Sequence, residues 1–411
     1  MKKLKLLISA YACEPGKGSE PGVGWSWVAQ MSQFHDLWVI TRANNREAIE
    51  KTNLDWVRKV HWIYFDLPPR LTFWKKGSRG VHAYYYFWQI GAWLKAKKLL
   101  REVSFDLIHH VTFGQYWIPS WLGLLERPFV FGPVGGGEDT PQPLLASLTP
   151  KQRQHESLRT LLRNIARFDP IANVTLGRST FVAATEDTLS QAKSFRPKLE
   201  FVLPQCAMTR EEIATFNHLR PKSGGPFRLI SIGRLVHWKG YHLSILAFAK
   251  LLKSIPDAEY WLINQGPEQE ALERLAAEAG CGDKIKFLGR MKTLQDVYAR
   301  LEQSDVLVHP ALHEAFGNVC LETMASGRPV ICFNRGGPAL QVTPETGIAV
   351  EPGEVEESVE RLTEAMQRLA DDSQLRRSMG ENARRRVADH FSWEEMAVQM
   401  NTIYEKTLAQ N

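Results

Sequence analysis

The chain has 411 residues, too many for one ordinary hydrophobic core, and that length favours two or three domains. Hydrophobic residues make up 44% and charged residues 23%, a globular balance that excludes a disordered chain, a collagen-like repeat and a disulfide-built miniprotein. The net charge of +6 is unevenly divided: residues 1–205 hold 27 basic and 17 acidic side chains, whereas residues 206–411 hold 24 and 28.

The N-terminus, MKKLKLLISAYACEPGKGSE, imitates a signal peptide with its basic start and apolar stretch. The apolar run is short, contains Ser9 and Tyr11, and flows into a Gly/Pro loop without a small-residue cleavage pattern, so it reads as a first buried strand. No segment approaches the roughly 20 apolar residues of a membrane span. Cys13, Cys206, Cys281, Cys320 and Cys332 are too few, too scattered and odd in number for a disulfide framework or a zinc site, which points to a reducing cytoplasm.

Short apolar runs then alternate with helical patterns. The predicted strands of the first half are Lys5–Ala10, Leu37–Thr41, Val60–Phe65, Leu107–His109, Phe129–Phe131, Thr180–Ala183 and Phe201–Leu203. Those of the second half are Phe227–Ile232, Glu259–Ile263, Ile285–Leu288, Val306–Val308 and Val330–Phe333. Amphipathic stretches such as Tyr241–Leu252, Glu268–Ala279 and Leu294–Leu301 separate them. This alternation predicts parallel sheets covered on both faces, in two doubly wound α/β domains rather than one closed barrel. The segment from Pro204 to Pro226 lacks a strand pattern and ends in Lys-Ser-Gly-Gly-Pro, as linkers do. The expected division is 1–204, 205–392 and a final helix over 393–411, begun by the Ser392/Glu395 capping-box pattern.

Residues 56–101 hold ten basic side chains, among them Lys75, Lys76, Arg79, Lys95, Lys97 and Lys98, against the single acid Asp66. Aromatics are interleaved: Trp62, Phe73, Trp74, Tyr84, Tyr85, Tyr86, Phe87, Trp88 and Trp93. Two readings stand side by side. One is a solvated helix face with a buried aromatic side; the other is an interfacial patch for anionic lipid with the aromatics at headgroup depth. Nucleic acid is the weakest partner for this charge, since no recognition module accompanies it.

The strongest chemical signal is HPALHEAFGNVCLETMASG at 309–327. Gly317 and Asn318 open a helix whose free N–H groups and positive dipole end suit a diphosphate. Glu314, just before it, could accept hydrogen bonds from sugar hydroxyls, and Glu322, about one turn in, could grip a ribose diol. A second signal, SIGRLVHWKG, sets Arg234 and Lys239 five residues apart after a strand ending at Ile232 and a tight turn at Gly233. Two cations at a strand's carboxyl end can neutralise a leaving diphosphate. The loops Ile263–Pro267 and Phe287–Arg290 follow two further strands, where nucleotides bind in such sheets.

Together these motifs resemble family 4 of the retaining glycosyltransferases, whose GT-B fold has two facing Rossmann-like domains with the active site in the cleft. The spaced glutamates of EAFGNVCLE, the GRLVHWKG loop, the GP turn and the terminal FSWEEMA occur in that family's order. The resemblance implies that Arg234 and Lys239 hold the donor diphosphate, Glu314 contacts the transferred sugar and Glu322 binds the ribose. It also implies that the amides of Phe316, Gly317, Asn318 and Val319 hold sugar and phosphate, while Arg290 and Met291 hold the base. In the N-terminal half it implies a Gly-rich loop near donor phosphate and acceptor, matched by Gly22 and Gly24, and a cleft histidine matched by His109 or His110. FVFGPVGGGED departs from the pattern: Gly132, Pro133 and Gly135–Gly137 stand where the family carries a histidine, and the glycine run could let backbone approach a ligand beside Glu138.

The implied activity is retaining, metal-independent transfer of a sugar from a UDP- or GDP-linked donor to a hydroxyl of a glycan or lipid-linked acceptor, in cell-surface polysaccharide biosynthesis. The absence of an Asp-x-Asp motif agrees with metal independence, and no cofactor besides the donor substrate is expected. The expected location is the cytoplasm, with association at the cytoplasmic face of an anionic membrane. Two alternatives use the same fold: a sugar-nucleotide epimerase, acting without an acceptor, and a non-catalytic glycan- or lipid-binding scaffold.

Overall fold

The computed structural model describes residues 2–68, 70, 72 and 80–410. The chain forms two compact units, the first built from Met1–Gly137, Leu161–Cys206 and Trp393–Asn411 and the second from Glu138–Thr160 and Ala207–Ser392.

The first unit holds a seven-stranded parallel sheet of β1 (Lys5–Ala10), β2 (Asp36–Arg42), β3 (His61–Phe65), β4 (Leu107–Thr112), β5 (Phe129–Val134), β6 (Thr180–Ala183) and β7 (Leu199–Val202), in the order β3-β2-β1-β4-β5-β6-β7. The second unit holds a six-stranded parallel sheet of β8 (Arg228–Ile232), β9 (Glu259–Ile263), β10 (Ile285–Gly289), β11 (Val306–His309), β12 (Val330–Phe333) and β13 (Gly347–Val350), in the order β10-β9-β8-β11-β12-β13. Every described residue of β4, β5, β6, β11 and β12 is buried, as expected of strands covered on both faces. In each sheet the strand order reverses once, between β1 and β4 and between β8 and β11, and such switch points open a crevice at the strands' carboxyl ends.

The N-terminal run that imitates a signal peptide is β1, buried after Lys5. All five cysteines are buried thiols outside any disulfide. Strand β13 escapes the sequence analysis because Gly347–Val350 offers only four residues and a glycine. The expected bare linker is also corrected: Arg210–Asn217 is a helix capped by Thr209, whose hydroxyl and the Glu212 carboxylate exchange hydrogen bonds with each other's backbone.

Residues 56–101 divide between the two readings. In the helix Val81–Leu99, Tyr84, Tyr85 and Trp88 are core residues packed around Tyr11, which rules out headgroup depth for those three. Phe87, Leu94, Lys95, Lys97 and Lys98 are exposed. Phe73, Trp74, Lys75, Lys76 and Arg79 lie outside the described residues.

The last helix, Trp393–Ala409, belongs to the first unit because its inner face makes specific contacts there. Trp393 meets Trp27 edge-on at 5.4 Å, Asn401 bonds His35 at 2.7 Å and Thr407 bonds Thr180 at 2.9 Å. Tyr404 Oη lies 2.6 Å from His109 Nδ1, while His109 Nε2 reaches the Gly132 carbonyl at 2.5 Å. Tyr404→Phe is expected to lower the stability of this unit by about 1–3 kcal/mol, since it leaves a buried ring nitrogen without a partner. Urea unfolding followed by tryptophan fluorescence measures it; an unchanged midpoint would refute the assigned bond.

Candidate functional site

The loops that leave β8 and β11 meet at the switch point of the second sheet. Gly233 sits at φ +156, and a Cβ there would lie 2.7 Å from Tyr241 Oη and 3.7 Å from Lys239 Cε, so only glycine fits the turn. Gly240, at φ +68, brings the Lys239 loop against β11's exit: a Cβ there would strike the Pro310 carbonyl at 1.9 Å. The Leu312 N–H donates to the Trp238 carbonyl at 2.7 Å and ties the loops together.

This approach joins Lys239 and Glu314 in an ion pair, with His309 Nε2 at 3.5 Å from the same carboxylate. Burial opposes the charge on Glu314, yet Lys239 and His309 overcome it and hold the carboxyl well below the ordinary range. Burial first, and the Lys239 charge second, lower the pKa of His309. The Arg234 side chain is exposed and, among the described residues, has no hydrogen-bond or ion-pair partner.

Gly317 caps the helix Asn318–Ala325 at φ +72, as the sequence predicts. The first N–H groups of a helix have no intrahelical partners, so those of Asn318 and Val319 remain available for an anion. Glu322 lies inside this helix, where burial first and the Glu212 charge second push its carboxyl up to about 7. Arg290 and Met291 follow β10 at the same end of the sheet.

The 314–317 loop is gripped by residues that the sequence analysis did not single out. Gly337 N–H donates to the Glu314 carbonyl at 2.8 Å, and the Gln341 side chain donates to the Phe316 carbonyl at 2.6 Å. Side chains at Gly336 or Gly337 would collide with the carbonyls of Glu314 or Phe316. The signal in the sequence is the Gly-Gly-Pro that follows β12 after Asn334 and Arg335.

A second missed group is Glu156, from the helix Pro150–Ala166. Its carboxylate receives His237 at 2.8 Å, His313 at 3.3 Å and the Thr140 hydroxyl at 3.1 Å, with Arg159 at 3.6 Å. It thereby links the residue two before Lys239 to the residue one before Glu314. Burial works against its ionisation, but His237 and His313 keep the carboxyl far below the ordinary range. His155, Glu156 and His237 place three donor atoms within 4.8 Å, a spacing that suits a metal. The hydrogen bonds of Glu156 and the Arg159 charge account for the cluster without one. Trp238 is stacked between His155 and His313 at centroid distances of 6.2 and 5.9 Å.

In the first unit, the structure moves the expected site residues inward. His109 and His110 are both fully buried, with pKa values lowered by burial to about 4 and about 3. His109 is held by Tyr404 and Gly132, and His110 Nε2 by Tyr85 at 3.1 Å, so neither lines an open surface. Gly22 and Gly24 lie in the first turns of the helix Ser19–Met31, not in a loop. There they let that helix approach the carbonyls of Lys17 and Ala12, where a Cβ would come within 2.2 and 2.0 Å. Gly132 and Gly137 likewise face protein, the Val182 carbonyl and the Thr188 backbone, rather than open space for a ligand. Glu138 is buried in the second unit, beside Gly336. At the β1/β4 switch point stands Glu20, which accepts from Gly114 N–H at 3.0 Å and whose carboxyl burial pushes up to about 7. The amide of Gln205 lies against the same glycine and, among the described residues, has no hydrogen-bond partner.

Two outcomes test these electrostatics. Glu322 keeps a proton in the folded state that the unfolded chain releases above its ordinary value of 4.5, so its stabilising contribution is lost as pH rises toward 7. Glu322→Gln should match the parent's thermal midpoint at acid pH, then gain an advantage that grows between about 4.5 and about 7 and levels off above. A constant offset across pH would refute the buried carboxyl. Glu156 has the opposite sign, since its stabilisation is present above the unfolded value and lost as pH falls. Glu156→Ala should cost about 1–3 kcal/mol at neutral pH. That deficit should narrow below the unfolded value of 4.5, and calorimetry across pH reads it.

Residues 216–386 match the family described as glycosyl transferases group 1. Among curated relatives, the GDP-mannose-dependent monoacylated alpha-(1-6)-phosphatidylinositol monomannoside mannosyltransferase of Corynebacterium glutamicum is 34% identical over 179 residues, which are 42% of this chain and 45% of that protein. The lipopolysaccharide core biosynthesis glycosyltransferase LpsD of Rhizobium meliloti is 31% identical over 196 residues, 44% and 53% of the two chains. The chain thus spans about half the length of these relatives. Among solved structures, sucrose-phosphate synthase of Thermosynechococcus elongatus superposes with a TM-score of 0.67 at 20% identity, covering 100% of both chains. Anabaena HepE in complex with UDP superposes with 0.61 at 17% identity, covering 99% of this chain and 100% of that one. The two Rossmann-like units are therefore those of the GT-B fold, and residues 216–386 of the second unit are similar to the glycosyl transferases group 1.

Proposed function

We propose that the protein is a retaining, metal-independent glycosyltransferase that moves a sugar from a UDP- or GDP-linked donor to a hydroxyl of a glycan or lipid-linked acceptor in cell-surface polysaccharide biosynthesis. The observation that carries this reading is the Lys239–Glu314 pair at the β8/β11 switch point, beside the exposed Arg234 and the Gly317-capped helix. Charge builds on the departing diphosphate as the sugar leaves. Arg234, Lys239 and the N–H groups at Asn318 and Val319 are the preorganised positive groups that stabilise it. Glu314 orients the sugar, and Glu322 receives the ribose diol, whose hydroxyls can hydrogen-bond its carboxyl group. The backbone at Phe316 and Gly317 adds contacts to the sugar, Gly233 leaves room for the phosphates, and Arg290 and Met291 hold the base.

In the chemical step a bond forms between the acceptor oxygen and the anomeric carbon while the bond from that carbon to the donor phosphate breaks. The acceptor proton passes to the departing phosphate on the same face. No protein nucleophile takes part, so Glu314 is not a glycosidase-type carboxylate. On the first unit, Glu20 at the β1/β4 switch point is the polar group that meets the acceptor, in place of the buried His109 and His110. Donor preference for GDP or UDP has support in both directions, since one relative is GDP-mannose-dependent and HepE binds UDP.

The protein acts at the cytoplasmic face of an anionic membrane, which residues 56–101 touch. Among the described residues no helix is long and apolar enough to cross a membrane. A groove of about 550 Å³ lined by Phe65, Leu67, Phe87, Ile90 and Leu94 opens beside Lys95 and supports that contact.

Turnover of UDP-glucose and GDP-mannose with and without a glycan acceptor tests the reaction. Consumption with inversion or epimerisation in the absence of acceptor would refute the retaining transferase, and no consumption of any nucleotide sugar would favour a binding scaffold. Lys239→Ala and Glu314→Ala are each expected to lower kcat by about 10²–10³ while the protein stays folded. Near-normal turnover in either would overturn the site.

A further inference from the structure

The helix Pro150–Ala166 is turned inside out in its second half. Leu161, Leu162 and Ile165, at helical spacing, are each more than half exposed, and Phe168 just beyond is 86% exposed. The arginines face the other way: Arg163 is buried and donates to the Gly137 carbonyl at 3.4 Å, and Arg167 bonds Gln191. A water-facing helix normally shows the reverse arrangement, and a contiguous apolar stripe of this size marks an interaction surface.

The charge around the stripe selects its partner. Residues 157–168 (SLRTLLRNIARF) contain no carboxylate, and their three arginines are bonded to protein, so the basic charge beside the stripe comes from neighbouring elements. The next helix, Pro170–Gly177, carries the exposed Val174 and is capped by Asp169. At its far end Arg178, Lys193, Arg196 and Lys198 are exposed, and Phe195 O would lie 3.3 Å from a Cβ at Gly177, which sets this basic turn against the helix end. At the near end Tyr86 donates to Asp169 at 3.0 Å and links the stripe to the helix Val81–Leu99, which ends in the exposed Lys95, Lys97 and Lys98. A second copy would set one basic surface against another. An apolar stripe beside the basic turn of Arg178, Lys193, Arg196 and Lys198 matches an interface of acyl chains and anionic headgroups.

We infer that Leu161, Leu162, Ile165 and Phe168 form a docking surface that inserts into an anionic lipid bilayer. This deepens the proposed membrane contact, which rests on residues 56–101, by adding an apolar anchor outside that segment.

Co-flotation with vesicles of phosphatidylcholine alone, and of phosphatidylcholine mixed with phosphatidylglycerol, tests it. The parent should float with the mixed vesicles and be released by added salt. A Leu161→Ser/Ile165→Ser/Phe168→Ser variant should bind them about tenfold less, with an unchanged thermal midpoint. Phe168→Ser alone, at the most exposed position, should weaken binding about threefold and serves if the triple variant misfolds. Equal flotation of the stripe variants and the parent would overturn the inference. In that case weakened binding by Lys95→Ser/Lys97→Ser/Lys98→Ser would still uphold the contact through residues 56–101. A parent that binds no vesicle overturns both, and a dimer that the stripe variant loses overturns the inference in favour of a second copy.

Discussion

The site depends on one constraint: β8 and β11 are neighbours in a parallel sheet whose strand order reverses between them. Crossovers from adjacent parallel strands leave to opposite sides at this point, so the two exit loops meet above the strand ends with no helix between them. Lys239 and Glu314 stand 75 residues apart in the chain, and this topology makes them partners. Glycine permits the contact, since a Cβ at Gly240 would collide with Pro310 and one at Gly336 with the Glu314 carbonyl.

A buried ion pair is costly to assemble and rarely stabilises a fold by itself. Here the surroundings lower the pKa of two carboxyl groups and raise that of two others. Glu314 and Glu156 are held ionised by Lys239 and by histidines, whereas Glu20 and Glu322 lie where burial favours the proton. The first pair fixes loop positions. The second pair lies at the two switch points, where the Glu20 carboxyl accepts from the Gly114 N–H.

The N-terminal unit shows how a local motif can mislead. His109 and His110 belong to β4, which is covered on both faces, so the alternation of side chains gives no clue to which residue reaches a surface. Both are interior, and the partner that explains His109 comes from Tyr404, almost at the end of the chain. The glycines at 22, 24, 132 and 137 are equally ambiguous in sequence. Each is there because protein backbone, not ligand, presses against it.

The sequence alone determined what depends on near neighbours in the chain. Strand–helix alternation specified two doubly wound sheets, Gly317 specified where a helix would open, and Arg234 and Lys239 after β8 and Glu314 after β11 fall where the strand pattern puts them. These are consequences of backbone propensity and of apolar runs a few residues long. Only the tertiary structure decided which distant side chains share a charge. Glu156 reaches His237 and His313 across 81 and 157 positions, and no local pattern encodes that meeting. Orientation was also beyond the sequence. Leu161, Leu162 and Ile165 have the spacing of a core-facing stripe, and spacing is the same whether the stripe turns to the core or to solvent. The unbalanced charge of the first half gains its meaning there, since the fold sets exposed lysines and arginines near an exposed apolar surface rather than spreading them evenly.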